Sequence, residues 1–329
     1  MATSTTTSLP PSNLRLGWVG LGSMGSAMAK NIHKYLSSQG QQPLRFFNRT
    51  ASRGDALENL GGIRCQDVAQ VASESDIIFI SASDDEAVES IVNQILDSGD
   101  IAGKIIVDTT TIHPNTTKAL AAKLKERNAE FAATPVFGAT PVAESGQLLV
   151  AFGGSTAVYE AISPYLKGVI AREVLLVGEE PEKASLLKTT GNILMAGLME
   201  LIAEGHVFAE KTGLGSAVLE RLLELNFGAV AHSDSVRMTT GVYAPGRGQA
   251  PWSDLDLALK DVGHGVDCAA RAGVPLKVAD TALEHLKRAK EYSVQNGGRK
   301  LDSSSLYGVV RQDAGLDFRT ELVRKRDEE

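Results

Sequence analysis

The chain has 329 residues, 43 % of them apolar and 5 % aromatic, with 33 Lys and Arg against 40 Asp and Glu for a formal net charge of -7. That length accommodates two domains with sizeable cores, and the acidic balance argues against nucleic acid or an anionic membrane as a partner. The two cysteines, Cys65 and Cys268, lie far apart without metal-ligand spacing, so no metal is expected, a disulfide framework is excluded, and a reducing, cytoplasmic home is expected.

Met1 to Ser12 is Ser/Thr/Pro-rich, Arg-free and without the apolar stretch of a signal peptide, which predicts a disordered arm over 1–12. Short apolar runs then follow at Leu16–Gly20, Leu44–Phe47, Ile77–Ile80, Ile105–Val107, Phe131–Pro135, Leu148–Phe152 and Glu173–Val177. Amphipathic stretches such as Ser23–Leu36 and Glu86–Leu96 separate the earlier runs. Strand and helix in alternation predict an α/β domain over 13–180, a Rossmann-type doubly wound parallel sheet whose far edge is mixed where helix thins out. Glu182 to Lys211 carries no proline and is apolar on nearly all sides, which predicts a long buried helix ending before Gly213. No unbroken apolar run reaches the ~20 residues of a membrane span, so no membrane contact is expected. The remainder reads as helices broken by Gly/Pro segments at Tyr243–Pro251 and Gly273–Pro275. The fold expected is therefore a dinucleotide-type domain followed by an all-helical domain over 181–329, joined by the long helix.

The first run leads directly into Gly20-Leu21-Gly22-Ser23-Met24-Gly25 and then a helix. Gly20 suits a tight turn, Gly22 a close approach to a pyrophosphate, and Gly25 close packing of helix on strand, while the helix start offers free N–H groups to phosphate. Past the second run stand Asn48, Arg49 and Thr50, with Arg53 one turn on. An NAD site places a carboxylate there for the ribose 2′-hydroxyl, and that carboxylate would repel the extra phosphate of NADP. A guanidinium binds such a phosphate with paired, charge-assisted hydrogen bonds, so the cofactor expected is NADP(H).

Four further segments carry weight: Asp108-Thr109-Thr110-Thr111-Ile112-His113-Pro114, Thr134-Pro135-Val136-Phe137-Gly138-Ala139, Lys188-Thr189-Thr190-Gly191-Asn192 and Lys260-Asp261. With the glycine loop and Asn48-Arg49-Thr50 they resemble the β-hydroxyacid dehydrogenases, the family of 3-hydroxyisobutyrate dehydrogenase and of NADPH-dependent glyoxylate and succinic semialdehyde reductases. The resemblance runs from Leu14 to about Arg311. It implies an NADP-linked oxidoreductase interconverting a hydroxy acid or alcohol and its aldehyde or keto form, associated through the helical domain as a homodimer or higher homo-oligomer. It implies Lys188 as general acid and base, with Asn192 orienting it or binding the hydroxyl. It places Ala82, Ser83, Thr111 and Lys260 beside the cofactor, and Thr110, Phe137, Gly138 and Ala139 beside the substrate. By spacing, Lys188 and Asn192 share one helix face. Apolar neighbours (Leu186, Leu187, Ile193, Leu194, Met195) would desolvate the lysine and lower its pKa toward neutrality. Spacing alone equally allows a lysine that reaches out to solvent at the start of a buried helix.

The sequence departs from the family pattern in three places. Phe137 stands where a serine normally holds the substrate carboxylate, Gly191 where the first of two asparagines is expected, and Ala133 where an aspartate is common. An apolar wall discriminates weakly among substrates, so broad tolerance is expected. Two other readings share the fold: an NADPH-dependent imine reductase, whose members generally place another residue at Lys188, and an NADP-binding protein without catalysis. The six histidines show no ligand spacing; His113 alone lies in a substrate-side turn. Asp302-Ser303-Ser304 reads as a structural turn, and Asp327-Glu328-Glu329 as a solvated tail.

Overall fold

Uninterrupted apolar runs become the strands of one sheet in the computed structural model, which describes residues 14–329; the arm expected over 1–12 lies outside them. The strands are β1 (Leu16–Val19), β2 (Arg45–Phe47), β3 (Ile63–Arg64), β4 (Ile77–Ile80), β5 (Ile105–Asp108), β6 (Glu130–Ala133), β7 (Val136–Phe137), β8 (Leu148–Gly153) and β9 (Ala171–Gly178). Between them run α1 (Ser23–Ser38), α2 (Asp55–Glu58), α3 (Val68–Glu74), α4 (Asp85–Asp97), α5 (Pro114–Lys125), α6 (Thr140–Glu144) and α7 (Thr156–Ile162). The strand order is β3-β2-β1-β4-β5-β6-β8-β7, with β9 beside β8. The β1–β2, β2–β3, β1–β4, β4–β5 and β5–β6 pairs are parallel. Strand β8 runs antiparallel to β6 and β7 and parallel to β9, which is the mixed far edge expected.

Both faces of the sheet are covered, and this is why its central strands are continuously apolar. Alternate residues point to opposite faces. Leu16, Trp18, Ile77 and Phe79 enter one core, with Trp18 and Phe79 stacked at 5.4 Å, while Val19, Ile78, Ile80 and Ile106 enter the other. Two strands went unseen in the sequence: β3 and β7 have two residues each, too short for periodicity to register.

The second unit begins inside the long helix α8 (Pro181–Thr212), where the chain divides between Lys188 and Thr189. It continues with α9 (Ser216–Leu222), α10 (Gly228–Thr239), α11 (Leu255–Arg271), α12 (Lys277–Gln295), α13 (Leu306–Asp313) and α14 (Glu321–Glu328). Gly213, at φ 76°, ends α8 in the left-handed conformation that glycine adopts without strain. By length and composition alone, α8 is long and apolar enough to cross a membrane. Ala196, Met199, Ala203 and Val207 nevertheless lie in the helical core, as in the core helix of a folded domain. Nor is α8 buried all round: Leu194, Leu201 and Phe208 are 68, 59 and 66 % exposed. The C-terminal residues are not simply a solvated tail, since Asp327 ends α14 in ion pairs with Arg299 and Arg326. Asp302 is fully buried and bonded to Arg237, which bears out the structural reading of its turn.

Candidate active site

The sheet reverses its order between β1 and β4: β2 and β3 extend one way from β1, β5 and β6 the other way from β4. In open α/β sheets ligands bind at the carboxyl ends of strands at such a switch point. The loop Gly20–Gly25 follows β1 there and opens α1. Its three glycines answer to three different constraints. Gly20 has φ 98°, and a Cβ on it would lie 2.1 Å from the Ser81 carbonyl oxygen. A Cβ on Gly25 would lie 2.4 Å from the Gly20 carbonyl oxygen, so close packing of helix on loop requires glycine. A Cβ on Gly22 would meet nothing within 4 Å. No protein contact demands glycine at position 22, and the open space there fits the approach of a pyrophosphate. Ser23 is exposed at the start of α1, and Met24 is half-buried against the core.

Two residues expected to touch the cofactor also shape the glycine loop. The Leu21 side chain is in the core, and its N–H donates to Asn48 Oδ1 at 2.7 Å. Asn48 Nδ2 in turn donates to the Thr50 carbonyl at 2.8 Å. Asn48 therefore ties the glycine loop to the turn after β2. Arg49, Thr50 and Arg53 are all exposed beyond it. Among the described residues, no hydrogen bond or ion pair engages either guanidinium, which suits them to an anionic ligand.

The turns after β4 and β5 are joined. Ala82 N–H donates to Thr110 Oγ1 at 2.9 Å, and Thr110 is only 5 % exposed. Thr110, expected beside the substrate, thus clamps the two turns together through its hydroxyl. Thr111, beside it, is half-buried. Ser83 is exposed, with its hydroxyl donating to Asp84, the N-cap of α4. His113 is a structural residue: its ring nitrogen accepts from Asn115 N–H and caps α5, while its own N–H donates to Asp85.

Beyond β7, Gly138 has φ 134°, and a Cβ there would lie 2.7 Å from a Leu148 methyl. Gly138 and Ala139 are both exposed. Phe137 is half-buried, and the Lys188 ammonium lies 4.6 Å from the centre of its ring. Lys188 is half-buried as well. The ring that replaces the expected serine is therefore a partner of the candidate acid–base residue, a pairing that spacing in the sequence does not disclose.

In the helical unit, Asn192 Nδ2 donates to Asp261 Oδ2 at 2.9 Å, and Lys260 Nζ donates to Asp261 Oδ1 at 2.7 Å. One carboxylate thus links α8 to α11 and fixes the Asn192 amide. Asp261 was not among the expected site residues, although the Lys260-Asp261 pair is one of the segments that carry the family resemblance. Gly265 allows this approach, since a Cβ there would lie 2.3 Å from Ile193.

Residues 15–178 match the family described as the NAD-binding domain of 6-phosphogluconate dehydrogenase, and residues 183–310 the NAD-binding domain of NADP-dependent 3-hydroxyisobutyrate dehydrogenase. The chain is 34 % identical to the NADH-dependent oxidoreductase ucdB of Aspergillus ustus, covering 90 % of this chain and 99 % of that protein. It is 29 % identical to 2-(hydroxymethyl)glutarate dehydrogenase of Eubacterium barkeri, over 92 % and 97 % of the two chains. Among solved structures, 3-hydroxyisobutyrate dehydrogenase of Mycobacterium tuberculosis, solved with L-serine, superposes with a TM-score of 0.76 at 19 % identity, over 91 % and 99 %. An imine reductase of Streptomyces aurantiacus gives 0.59 at 22 %, over 90 % and 98 %.

Proposed function

The chain belongs to the β-hydroxyacid dehydrogenase family, and on that premise we propose that it is an NADP(H)-dependent enzyme interconverting a hydroxy acid or alcohol and its carbonyl form, with Lys188 as proton donor and acceptor. The observation that carries this reading is the Lys188 ammonium, half-buried over the Phe137 ring at 4.6 Å. When bound, a nicotinamide cofactor supplies or accepts the hydride at the substrate carbon. The chain's own residues do the rest. The Gly20–Gly25 loop and the start of α1 present N–H groups to the pyrophosphate. Arg49 and Arg53, with Thr50, hold the 2′-phosphate. Lys188 Nζ gives its proton to the carbonyl oxygen in reduction and takes it from the hydroxyl in oxidation. Asp261 holds Asn192 in one orientation four residues along from Lys188, and holds Lys260 beside it.

The cofactor preference stands on the arginines, and it departs from the NADH named for the Aspergillus ustus relative. We also propose a homo-oligomer built on the helical unit. Leu194, Leu201 and Phe208 recur every seven residues on α8 and remain exposed, a stripe that a second copy would bury.

The deciding experiment follows NADPH and NADH oxidation against aldehydes, keto acids and cyclic imines, with Lys188→Ala as control. Carbonyl turnover with NADPH, lost in the variant, is expected. Turnover of imines alone, or equal activity in the variant, would overturn the assignment of Lys188.

A further inference from the structure

We propose that Phe137 is a positioning residue for Lys188: its ring face holds the ammonium where the proton is exchanged. The observation is the cation–π contact of 4.6 Å between two half-buried side chains, one on the loop edge at β7 and one on α8. Lysine carries four rotatable side-chain bonds, and each contact on its ammonium narrows the positions it samples. The negative face of an aromatic ring attracts a cation in a partly desolvated setting without directing its N–H groups to a single acceptor. The ring face thereby narrows the positions open to the ammonium on the side of β7. Phe137 is itself anchored, since it packs on the core that contains Ile80, Ile106 and Ala133. Gly138 follows at φ 134°, where an added Cβ would lie 2.7 Å from a Leu148 methyl, so the turn after the ring requires glycine. The ring thus has a rigid mount, and the residue that departs from the family's serine has a task other than lining the substrate.

This inference rests on the reading of Lys188 as the proton donor, and its test separates the two. Three variants are compared under NADPH-dependent carbonyl reduction: Phe137→Leu, Phe137→Tyr and Lys188→Ala. Phe137→Leu keeps the apolar volume but loses the ring, and kcat is expected to fall by about tenfold while the substrate KM changes by less than about twofold. Phe137→Tyr restores the ring face and is expected to recover most of that loss. A rise in substrate KM with kcat intact in Phe137→Leu would mark a substrate wall only and overturn the proposal. An unchanged kcat in Lys188→Ala would overturn the reading of the lysine instead. A second measurement needs no turnover. With lysine labelled at the ε-carbon, the Lys188 methylene protons over the ring are expected upfield of the other lysines, because the ring current shields groups above its face. That shift is expected to persist in Phe137→Tyr and vanish in Phe137→Leu; a Lys188 signal at the ordinary lysine position in the unsubstituted protein would also overturn the proposal.

Discussion

At the scale of single residues, the glycine loop offers a clean separation of packing from binding. Gly20 is constrained by its positive φ and by the Ser81 carbonyl, whereas Gly22 faces open space. Gly20→Ala is therefore expected to destabilise the protein by about 1–3 kcal/mol, visible as a lower melting temperature. Gly22→Ala is expected to leave the melting temperature unchanged but to weaken NADPH binding, measured by fluorescence titration. Equal loss of stability in both would mean that the open space at Gly22 plays no part in binding. Substituting the two arginines is expected to separate the two cofactors in the same way. Losing a charge-assisted hydrogen bond costs about 1.5–3 kcal/mol, so Arg49→Ala combined with Arg53→Ala is expected to raise the KM for NADPH by about tenfold or more. The KM for NADH should hardly move, since NADH lacks the phosphate. A parallel rise for both cofactors would remove the basis of the NADP preference.

At the scale of elements, α8 carries two different tasks along one sequence. Its buried face packs through Ala196, Met199 and Ala203, while Leu194, Leu201 and Phe208 stay exposed. That stripe is the surface proposed for self-association. Leu201→Glu with Phe208→Glu is expected to shift the protein toward a monomer in light scattering, with circular dichroism unchanged. An unaltered mass would place any oligomer contact elsewhere. The Asn192–Asp261–Lys260 linkage shows how one carboxylate serves two helices: both of its oxygens accept a hydrogen bond, one from each helix's side chain.

At the scale of the whole molecule, stability is coupled to pH through buried ionisable groups. His285 on α12 bonds to the buried Glu200 carboxylate at 2.7 Å, which raises its pKa above the ordinary 6.5 against the opposing effect of burial. A raised folded pKa means that the folded protein holds the proton more tightly than the unfolded chain. The stabilisation is fully present below about pH 6.5 and is lost as pH rises through the folded value. The melting temperature is therefore expected to fall with rising pH over that range, and His285→Gln is expected to flatten the fall. An identical pH slope in the variant would show that the Glu200 pair does not contribute. Asp234 titrates in the same sense, since burial lifts it to about 6 despite the Arg237 beside it.

Much of this protein was legible in the sequence because its signals are local. The apolar runs at Leu16, Ile77 and Ile105, the turn glycines Gly20 and Gly25, and the span of α8 each depend on periodicity or backbone sterics within a few residues. The family resemblance rested on the same short segments, and full-length similarity bears it out. Local pattern did not disclose β3 and β7, whose existence depends on partners distant in the chain. It assigned Asn48 and Thr110 to ligands but did not disclose that each also has a backbone partner on another strand's loop. The same holds for Phe137 with Lys188 and for Asn192 with Asp261: residue type and spacing nominated the lysine and the asparagine, but their partners lie 51 and 69 positions away in the chain. Sequence determined which elements form and which residues have the chemistry; tertiary structure decided which polar groups are already engaged and which remain for a ligand, because hydrogen bonds and ring contacts are set by distance in space rather than along the chain.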